Sequence, residues 1–510
     1  MTEQEAQTAT GPDSSAAGLS EQRRIRRDKR ARLLGTAREP YPVDLRRTHT
    51  LAQVRAGWPG LTAGEETDDI VEVGGRVVFL RNTGKLCFAT IQDGFNQRSN
   101  GERLQVMISL AEVGAQALAE WKADVDLGDF IWVRGRVICS RRGELSVLAG
   151  QWKLASKALR PLPTLHRELS EEARVRQRYA DLIVRPEARD MVRLRAAITH
   201  SLRRTLDEAG FLEVETPTLQ LVHGGATARP FHTHLNAFDI DMTLRIALEL
   251  YLKRAMVGGA DSVYEIGRIF RNEGIDSSHS AEFTMLEAYH SWGDHKTIAG
   301  LTKKLIMDAA DAVGSHQIAR PDGRVIDLDA EWRWLPVYPA VSTALGETVD
   351  VQTPAETLRR FADAHRVPWD PGWGNGKLVM ELYEHLVEPD LIEPTFVCDF
   401  PAVAQPLARR HRSEPGLIEA WDLIIGGMER ATGFNELIDP IVQREILTAQ
   451  SLAAAAGDLE AMQLDEDFLT ALEQGAPPMG GMGLGLDRLI MLFTGAGIRE
   501  TILFPLLRPQ

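Results

Sequence analysis

The alternation of apolar and polar residues marks a β-rich part near the start of the chain. Between about residues 70 and 154, five runs rich in valine, isoleucine and aromatic residues are separated by turn-forming glycine and asparagine, which is typical of short strands. The runs are IVEVGGRVVFLR, KLCFATIQDG, RLQVMIS, FIWVRGRVICSRR and ELSVLAGQWKLA. A helical stretch, LAEVGAQALAEWK, follows the third run. This order predicts an OB-fold barrel, an architecture that often binds single-stranded nucleic acid.

A helical period replaces the alternation from about Pro186 onward. Apolar residues recur at spacings of three and four and form one stripe, which predicts an amphipathic helix ending at Gly210. The stripe consists of Met191, Leu194, Ile198, Leu202 and Leu206. The following FLEVETPTL predicts a strand that stops at Pro217. The two prolines of KALRPLPT before this region predict an extended linker.

The first residues differ from both patterns. Residues 1–19 are small and polar, which predicts disorder. The next stretch, EQRRIRRDKRARLL, predicts a basic helix ending near Gly35. Such a helix is either an ordinary solvated helix or a contact for the RNA backbone, and the charges alone favour neither. We therefore expect a tail (1–19), a basic helix with its connection (20–66), the barrel (67–157), a linker (158–185) and a large domain (186–510).

Composition narrows the class of protein. At 510 residues the chain is long enough for two or three domains, and its 44% hydrophobic and 25% charged residues are ordinary for a globular enzyme. It has no apolar run of membrane-spanning length and no apolar signal core, so we expect a cytoplasmic protein without a membrane segment. Cys87, Cys139 and Cys398 form no CxxC pair and are expected to be buried thiols. With a net charge of −14, nucleic-acid binding requires a local basic patch.

The most informative stretch is YEIGRIFRNEGIDSSHSAEFTMLEAY, from Tyr264 to Tyr289. Apolar-rich segments flank a polar loop of turn-forming residues, which predicts an antiparallel hairpin with a long loop. One face would offer an arginine, a histidine, an aromatic ring and carboxylates. That set suits an anionic phosphate, a flat base and a cationic ligand. The alternative is a surface hairpin with solvated charges.

The string FRNEGIDxxHxxEFTMLE resembles the second motif of class II lysyl-tRNA synthetases. The helix, strand and proline near residue 200 resemble the first motif, which forms the dimer interface in that family. PPMGGMGLGLDRLIMLFTG resembles the third. The resemblance covers roughly residues 21–510. It implies an α+β fold, in which an N-terminal OB barrel precedes a catalytic domain built on an antiparallel sheet.

The resemblance also implies an activity. A homodimer would use ATP and Mg²⁺ to convert L-lysine into lysyl-adenylate and would then transfer lysine to the 3′ end of tRNA(Lys). Arg271 and Arg488 would be the catalytic residues. The residues implied for ATP are Arg271, Glu273, His279, Phe283, Glu429 and Arg488. Those implied for lysine are Gly225, Glu249, Arg271, Glu287, Tyr289, Thr432, Phe434 and Glu436.

Two further groups of residues follow from the resemblance. Asp422 and Glu429 would hold magnesium, whose preferred ligands are hard carboxylate oxygens. If WDLIIGGME is one strand, these positions point to opposite faces, so a bulge at Gly426-Gly427 is needed to bring them together. In the barrel, Phe88 would stack an anticodon base, with Arg81 and Gln105 beside it. The alternative is that Phe88 is an ordinary core residue.

The chain departs from the family pattern at several positions, which are Leu80, Leu248, Ser280, Ala281, Asp422 and Thr432. Leu248 replaces a proline, and Thr432 replaces an asparagine that contacts the substrate. Threonine at that position is similar to the synthetase half of actinobacterial lysylphosphatidylglycerol-forming proteins. Two alternatives therefore stay open. One is a paralog that activates another amino acid or supplies lysyl-tRNA to a lipid or small-molecule transferase, and the other is a non-catalytic tRNA-binding regulator.

Overall fold

The computed structural model describes residues 21–163, 169–320, 322–458 and 460–509. The predicted disordered tail over 1–19 lies outside these residues. The chain divides into two compact units, Met1–Asp190 and Met191–Gln510.

The first unit contains a closed five-stranded barrel, with the strand order β1-β2-β3-β5-β4. Its elements are α1 (Glu21–Gly35), α2 (Leu51–Gly57), β1 (Glu66–Asn82), β2 (Leu86–Gln92), β3 (Arg103–Ser109), α3 (Leu110–Asp124), β4 (Phe130–Cys139), β5 (Leu145–Ser156), α4 (Glu171–Arg176) and α5 (Arg178–Val184). The helix α3 lies between the third and fourth strands, as the sequence predicts. The predicted OB-fold is therefore confirmed.

The barrel core is built from the inward-facing residues of its strands. Val71, Val73 and Val77 of β1 are buried, as strict alternation requires. The pairing of β1 with β2 shifts register between Val77 and Phe79, and this bulge turns Phe79 outward. Strict alternation would have placed Phe79 inside the barrel, so the bulge decides which residues this end of β1 exposes.

The basic helix α1 uses part of its charge to dock on the barrel. The Arg26 guanidinium donates to the Leu127 carbonyl at 2.8 Å, and Lys29 Nζ lies 2.7 Å from Asp126 Oδ1. These contacts fix one side of the helix within its own unit. These contacts leave both alternatives open for the other arginines of α1, which are either simply solvated or bind RNA.

The prediction of an extended linker is wrong for its second half. Residues 171–184 form the short helices α4 and α5, and the Ser170 hydroxyl caps α4 by accepting a hydrogen bond from the Ala173 amide. The prolines that suggested an extended chain lie before residue 164, so they do not prevent helix formation further along.

The second unit is organised around an eight-stranded sheet, with the order β14-β15-β16-β17-β18-β11-β10-β6. Its elements up to the sheet's second half are α6 (Pro186–Glu208), β6 (Leu212–Glu213), β7 (Leu219–Gln220), β8 (His232–Leu235), β9 (Ile240–Leu244), α7 (Glu249–Val257), β10 (Ser262–Phe270), β11 (Glu282–Ser291), α8 (His295–Val313), β12 (Gln317–Ala319), β13 (Val325–Asp327), β14 (Arg333–Pro336), α9 (Val337–Leu345), α10 (Ala355–His365) and α11 (Asn375–Leu386). The remaining elements are a 3₁₀ turn (Glu388–Asp390), β15 (Thr395–Cys398), β16 (Ala420–Ile424), β17 (Glu429–Asn435), α12 (Pro440–Ala455), α13 (Glu466–Glu473), β18 (Met479–Gly485), α14 (Leu486–Thr494) and α15 (Ile498–Thr501).

Most neighbouring strands of this sheet are antiparallel, and the outer pairs β14–β15 and β10–β6 are parallel. The α+β class with an antiparallel catalytic sheet is therefore confirmed. The predicted long-looped hairpin is β10–β11, in which Phe270 pairs with Glu282 across the loop. The three cysteines are buried and free, as expected.

Two local predictions in this unit need correction. FLEVETPTL contributes only the two-residue strand β6 and, after Pro217, the first residue of β7. Between them the Glu265 carboxylate holds the chain by accepting hydrogen bonds from the Thr216 amide and hydroxyl. WDLIIGGME is a hairpin instead of one bulged strand. Gly426 and Gly427 have φ values of 70° and 71°, which reverse the chain between β16 and β17.

The apolar stripe predicted for α6 faces the protein core. On α6, Ile198, Leu202 and Leu206 are buried in the core of their own chain, so most of the predicted stripe packs internally. Among the described residues, we find no helix whose length and apolar character would let it cross a bilayer.

Candidate active site

A cavity of about 370 Å³ opens on the central strands β11, β17 and β18. It is lined by thirteen of the predicted site residues, namely Gly225, Glu249, Arg271, Glu273, His279, Phe283, Glu287, Tyr289, Asp422, Glu429, Thr432, Phe434 and Arg488. Glu436 is not among the lining residues, but its buried carboxylate packs on the same side of Gly481 as Tyr289, and Gly481 and Tyr289 both line the cavity. The sheet thus brings together residues from four separate stretches of the chain.

Arg271 begins the loop after β10 and points into the cavity. Its Nε donates to the Ile246 carbonyl at 3.3 Å, and its guanidinium carbon lies 5.3 Å from the centre of the Phe283 ring. Burial lowers the pKa of Arg271, although an arginine stays charged at neutral pH. A cation for a phosphate and a flat ring for a base are therefore adjacent.

Arg488 lies near the start of α14 and lines the same cavity as Arg271. Its Nη1 is 3.3 Å from Glu429 Oε2, and its Nη2 is 3.3 Å from His279 Nε2. Both partners are exposed or half-buried, so a phosphate could replace them without leaving a buried charge unpaired.

Arg430 supports Arg488 from below and was missed by the sequence reasoning. It is buried, and its Nη1 donates to the Arg488 carbonyl at 2.8 Å while its Nε donates to the Ile425 carbonyl. Burial lowers its pKa to about 9. Its only signal in the sequence was its place next to Glu429, at the start of the strand ERATGFN.

Asp422 and Glu429 converge because β16 and β17 form a hairpin. Burial, and then the charge of Glu429, raise the pKa of Asp422 well above its usual value, while a hydrogen bond from Thr432 opposes that rise. Burial and Glu429 also raise the pKa of nearby Glu388, to about 7. Unbalanced carboxylates of this kind suit a divalent cation. Within the described residues, no group of three or more histidine, cysteine, aspartate or glutamate side chains is arranged to hold a metal ion.

The cavity is also lined by the buried carboxylates Glu249 and Glu287. The Leu248 amide donates to Glu287 Oε1 at 3.0 Å, and the Tyr289 hydroxyl donates to Glu287 Oε2 at 3.2 Å. Burial, and then repulsion from Glu249, raise the pKa of Glu287 to about 7. Proline has no amide hydrogen, so the leucine at position 248 adds a bond that the family's usual residue cannot make.

Lys253, on α7, is a second residue that the sequence reasoning missed. Its Nζ donates to Glu249 Oε1 at 2.6 Å, and it forms an ion pair with Glu436. The i, i+4 spacing from Glu249 was a signal, but such pairs are common on exposed helices. Here the pair is buried, and Glu436, from a distant part of the chain, joins it.

Two glycines allow these carboxylates to pack closely. At Gly225, where φ is +87°, a side chain would lie 2.9 Å from the Ala247 Cβ. At Gly481, a Cβ would lie 2.0 Å from Glu436 Oε1 and 2.5 Å from the Tyr289 ring. Both positions therefore require glycine.

Two polar residues of β17, of which only Thr432 departs from the family pattern, have different surroundings. Thr432 lines the cavity and pairs across the sheet with Asp422. Asn435 points away from it, because its side chain accepts from the His295 amide and donates to Glu419. Only the first of these two can affect a bound substrate directly.

In the first unit, Arg81, Phe88 and Gln105 lie on the outer face of the barrel. The Arg81 guanidinium carbon is 5.2 Å from the centre of the Phe88 ring, and Gln105 donates to the Ser146 hydroxyl at 2.8 Å. Phe88 is half-buried and lies outside the core cluster, so it is not an ordinary core residue. Phe79, which is 54% exposed, lies one row away on the same face and was not predicted.

Comparisons with known proteins agree with this arrangement. Residues 170–508 match the family of class II tRNA synthetases (D, K and N), and residues 71–155 match the OB-fold nucleic acid binding domain. The chain is 58% identical over 503 residues to the lysine–tRNA ligase of Mycobacterium bovis BCG, a match that covers 97% of this chain and 99% of that protein. It is 56% identical over 502 residues to the corresponding ligase of Kineococcus radiotolerans, covering 98% and 99%. It is also 46% identical to the lysylphosphatidylglycerol biosynthesis bifunctional protein LysX of Mycobacterium avium, covering 98% of this chain and 42% of that protein.

The sheet, the cavity and these matches define a class of enzyme, and the chain belongs to the class II tRNA synthetases. Within that family its near full-length relatives include the lysine–tRNA ligases named above. The resemblance found in the three motifs is thereby confirmed.

Proposed function

We propose that this protein is an ATP-dependent lysine–tRNA ligase, which forms lysyl-adenylate and then transfers lysine to the 3′ end of tRNA(Lys). One observation carries the proposal: a single cavity is lined both by the arginines Arg271 and Arg488 and by the buried carboxylates Glu249 and Glu287. The 58% identity to a lysine–tRNA ligase, which extends over nearly the full length of both chains, supports the same conclusion.

In the first step, the lysine carboxylate attacks the α-phosphorus of ATP, and pyrophosphate leaves. This nucleophile is already ionised at neutral pH, so no general base is required. Arg271 would pair with the carboxylate and the α-phosphate and bring them to attacking distance. Arg488 would leave Glu429 and His279 for the γ-phosphate, and Phe283 would stack the adenine.

Asp422 and Glu429 would hold Mg²⁺ next to the phosphates. When bound, the ion supplies charge neutralisation for the phosphate oxygens. The support for this role is the raised pKa of Asp422 beside a second carboxylate. Glu273 lies at the mouth of the same cavity and would contact ATP there.

Recognition of lysine would depend on the charges of its two ammonium groups. Glu249 and the backbone of Gly225 would surround the α-ammonium end of the substrate. Glu287, Tyr289 and Glu436 would surround its side-chain ammonium, with Thr432 beside the substrate and Phe434 packed on its aliphatic part. A neutral amino acid would leave buried carboxylates without a partner, which disfavours its binding.

The barrel and the start of the second unit would serve the RNA and a second copy of the chain. Arg81, Phe88 and Gln105 present a ring and polar groups suited to anticodon bases. Leu212, Leu219 and Leu221 are exposed next to α6, and such apolar residues suit a homodimer interface.

The test is ATP–pyrophosphate exchange with a panel of amino acids, followed by charging of total tRNA. We expect exchange with lysine alone and charging of tRNA(Lys) alone. Exchange with a different amino acid would favour a paralog that activates that amino acid, for which the cavity position of Thr432 is the supporting observation. The similarity to LysX supports the other form of this alternative, in which lysyl-tRNA supplies a lipid transferase. Binding of tRNA without any exchange would indicate the non-catalytic regulator.

A further inference from the structure

Lys253 occupies an unusual position for a lysine. Its side chain is 1% exposed, and it lies behind the cavity wall between Glu249 and Glu436. Its ammonium nitrogen is also 5.7 Å from the centre of the Phe434 ring. A buried lysine is costly unless it is paired, and here two carboxylates pair with it.

The other charges around Lys253 are already engaged or lie on the cavity side. Arg254, the next residue on α7, turns toward α13, where its Nη2 is 2.7 Å from Asp465 Oδ2. From β11, Glu287 and Tyr289 face the cavity, and Arg271 reaches it from the loop after β10. Among the described residues, Lys253 is thus the cation that contacts both Glu249 and Glu436.

Removing this ammonium would leave two buried carboxylates next to each other. Burial already raises the pKa of both Glu249 and Glu436, and Lys253 opposes that rise. Without the lysine, the pair would retain a proton at neutral pH, as adjacent buried carboxyl groups do. A carboxyl group that carries a proton cannot form an ion pair with an ammonium group of the substrate.

We propose that Lys253 is a positioning residue that sets the specificity of the amino-acid pocket. Its ammonium holds Glu249 and Glu436 together as ionised carboxylates, ready for a diamino acid. This inference rests on the proposed function.

The net charge of the side chains around the amino-acid pocket supports a preference for lysine over neutral amino acids. Glu249, Glu287 and Glu436 are opposed by Lys253 and Arg271, which leaves one net negative charge when all five are ionised. Bound lysine carries one net positive charge and makes the pocket neutral, whereas a neutral amino acid leaves a buried charge uncompensated.

The experiment compares Lys253→Met with the charge-retaining Lys253→Arg. The lysine KM of each is measured by ATP–pyrophosphate exchange from pH 7 to 9.5 and divided by the wild-type value at the same pH. For Lys253→Met we expect a ratio of about tenfold or more at pH 7, which falls as the pH rises and the shared proton is lost. For Lys253→Arg we expect a ratio that does not change with pH. The KM for ATP should stay near the wild-type value in both.

Two outcomes would overturn the inference. A raised ratio for Lys253→Met that is constant across the pH range would indicate a packing role, and a ratio below one would mean that Lys253 competes with the substrate. If Lys253→Met fails to fold, as judged by thermal unfolding, Lys253→Gln takes its place with the same expected pH profile. If the wild-type protein shows no lysine-dependent exchange, the proposed function itself is refuted. That result is distinct from the two outcomes above, which concern only the role of Lys253.

Discussion

The catalytic cavity and the outer face of the barrel use charge in opposite ways. Beside the cavity, Glu249, Lys253 and Glu436 are buried together, and each depends on the others for its ionisation state. On the barrel, Arg81 is exposed and lies over the half-buried ring of Phe88, where water can replace any lost contact. We therefore expect substitutions in the cavity to cause large losses of amino-acid activation. Substitutions on the barrel should cause smaller losses that affect only tRNA.

The largest expected effect is that of Arg271→Ala. Removing the cation that would pair with both reacting groups should lower the rate of lysine-dependent pyrophosphate exchange on the order of a thousandfold. The matched control is Arg268→Ala on the same hairpin, because Arg268 is exposed and 3.6 Å from Glu282. Equal losses in the two variants would contradict the role of Arg271.

The barrel provides the second prediction, through Phe88→Ala. Stacking of a base on an aromatic ring contributes about 1–3 kcal/mol, so kcat/KM for tRNA should fall by about ten- to a hundredfold. Pyrophosphate exchange should not change. The control is Phe130→Ala, since Phe130 also carries an arginine, Arg76, at 4.3 Å from its ring centre but lies on another strand. If Phe88→Ala also lost pyrophosphate exchange, the barrel face and the catalytic cavity would not have separate functions.

The third prediction concerns the backbone of Leu248. Leu248→Pro removes the amide that donates to Glu287, so the pKa of Glu287 should rise and the lysine KM at pH 7 should increase about tenfold. Leu248→Ala loses the same buried side chain but keeps the amide, and its lysine KM should stay closer to that of the wild type. The hydrogen bond has no role in binding if the two variants behave alike.

The smallest effect is the pH dependence of the unmodified protein. The pKa of Glu287 is raised to about 7, so the carboxylate form that pairs with an ammonium group is lost as the pH falls through that value. Between pH 8 and pH 6.5 the lysine KM should rise about fourfold, and the KM for ATP should change less. A lysine KM that is constant over this range would show that Glu287 does not bind the substrate.

Local patterns predicted the elements well where adjacent residues decide the structure. The strands of the barrel follow from alternation, and the β10–β11 hairpin follows from apolar runs around a polar loop. Local patterns were less reliable where residues distant in the sequence decide the structure. Glu265 holds FLEVETPTL at Thr216 between two short strands, and the register shift before Phe79 depends on the neighbouring strand β2.

Motifs identified the residues that would contact ATP and lysine, because these residue types recur in fixed order along the chain. They did not reveal Lys253 or Arg430, since a charged residue in a helix or strand looks the same whether it is buried or solvated. The seven-residue spacing of Asp422 and Glu429 suggested a bulged strand, and only the pairing of β16 with β17 showed a hairpin.

The sequence by itself therefore determined the fold class, the family and the set of candidate residues, since these follow from local periodicity and motif order. The tertiary structure alone decided which charges are buried together. Lys253 meets Glu436, and the Leu248 amide meets Glu287, only after the sheet has assembled. Ionisation in a protein interior depends on such neighbours and on the loss of water, and neither can be obtained from the order of residues.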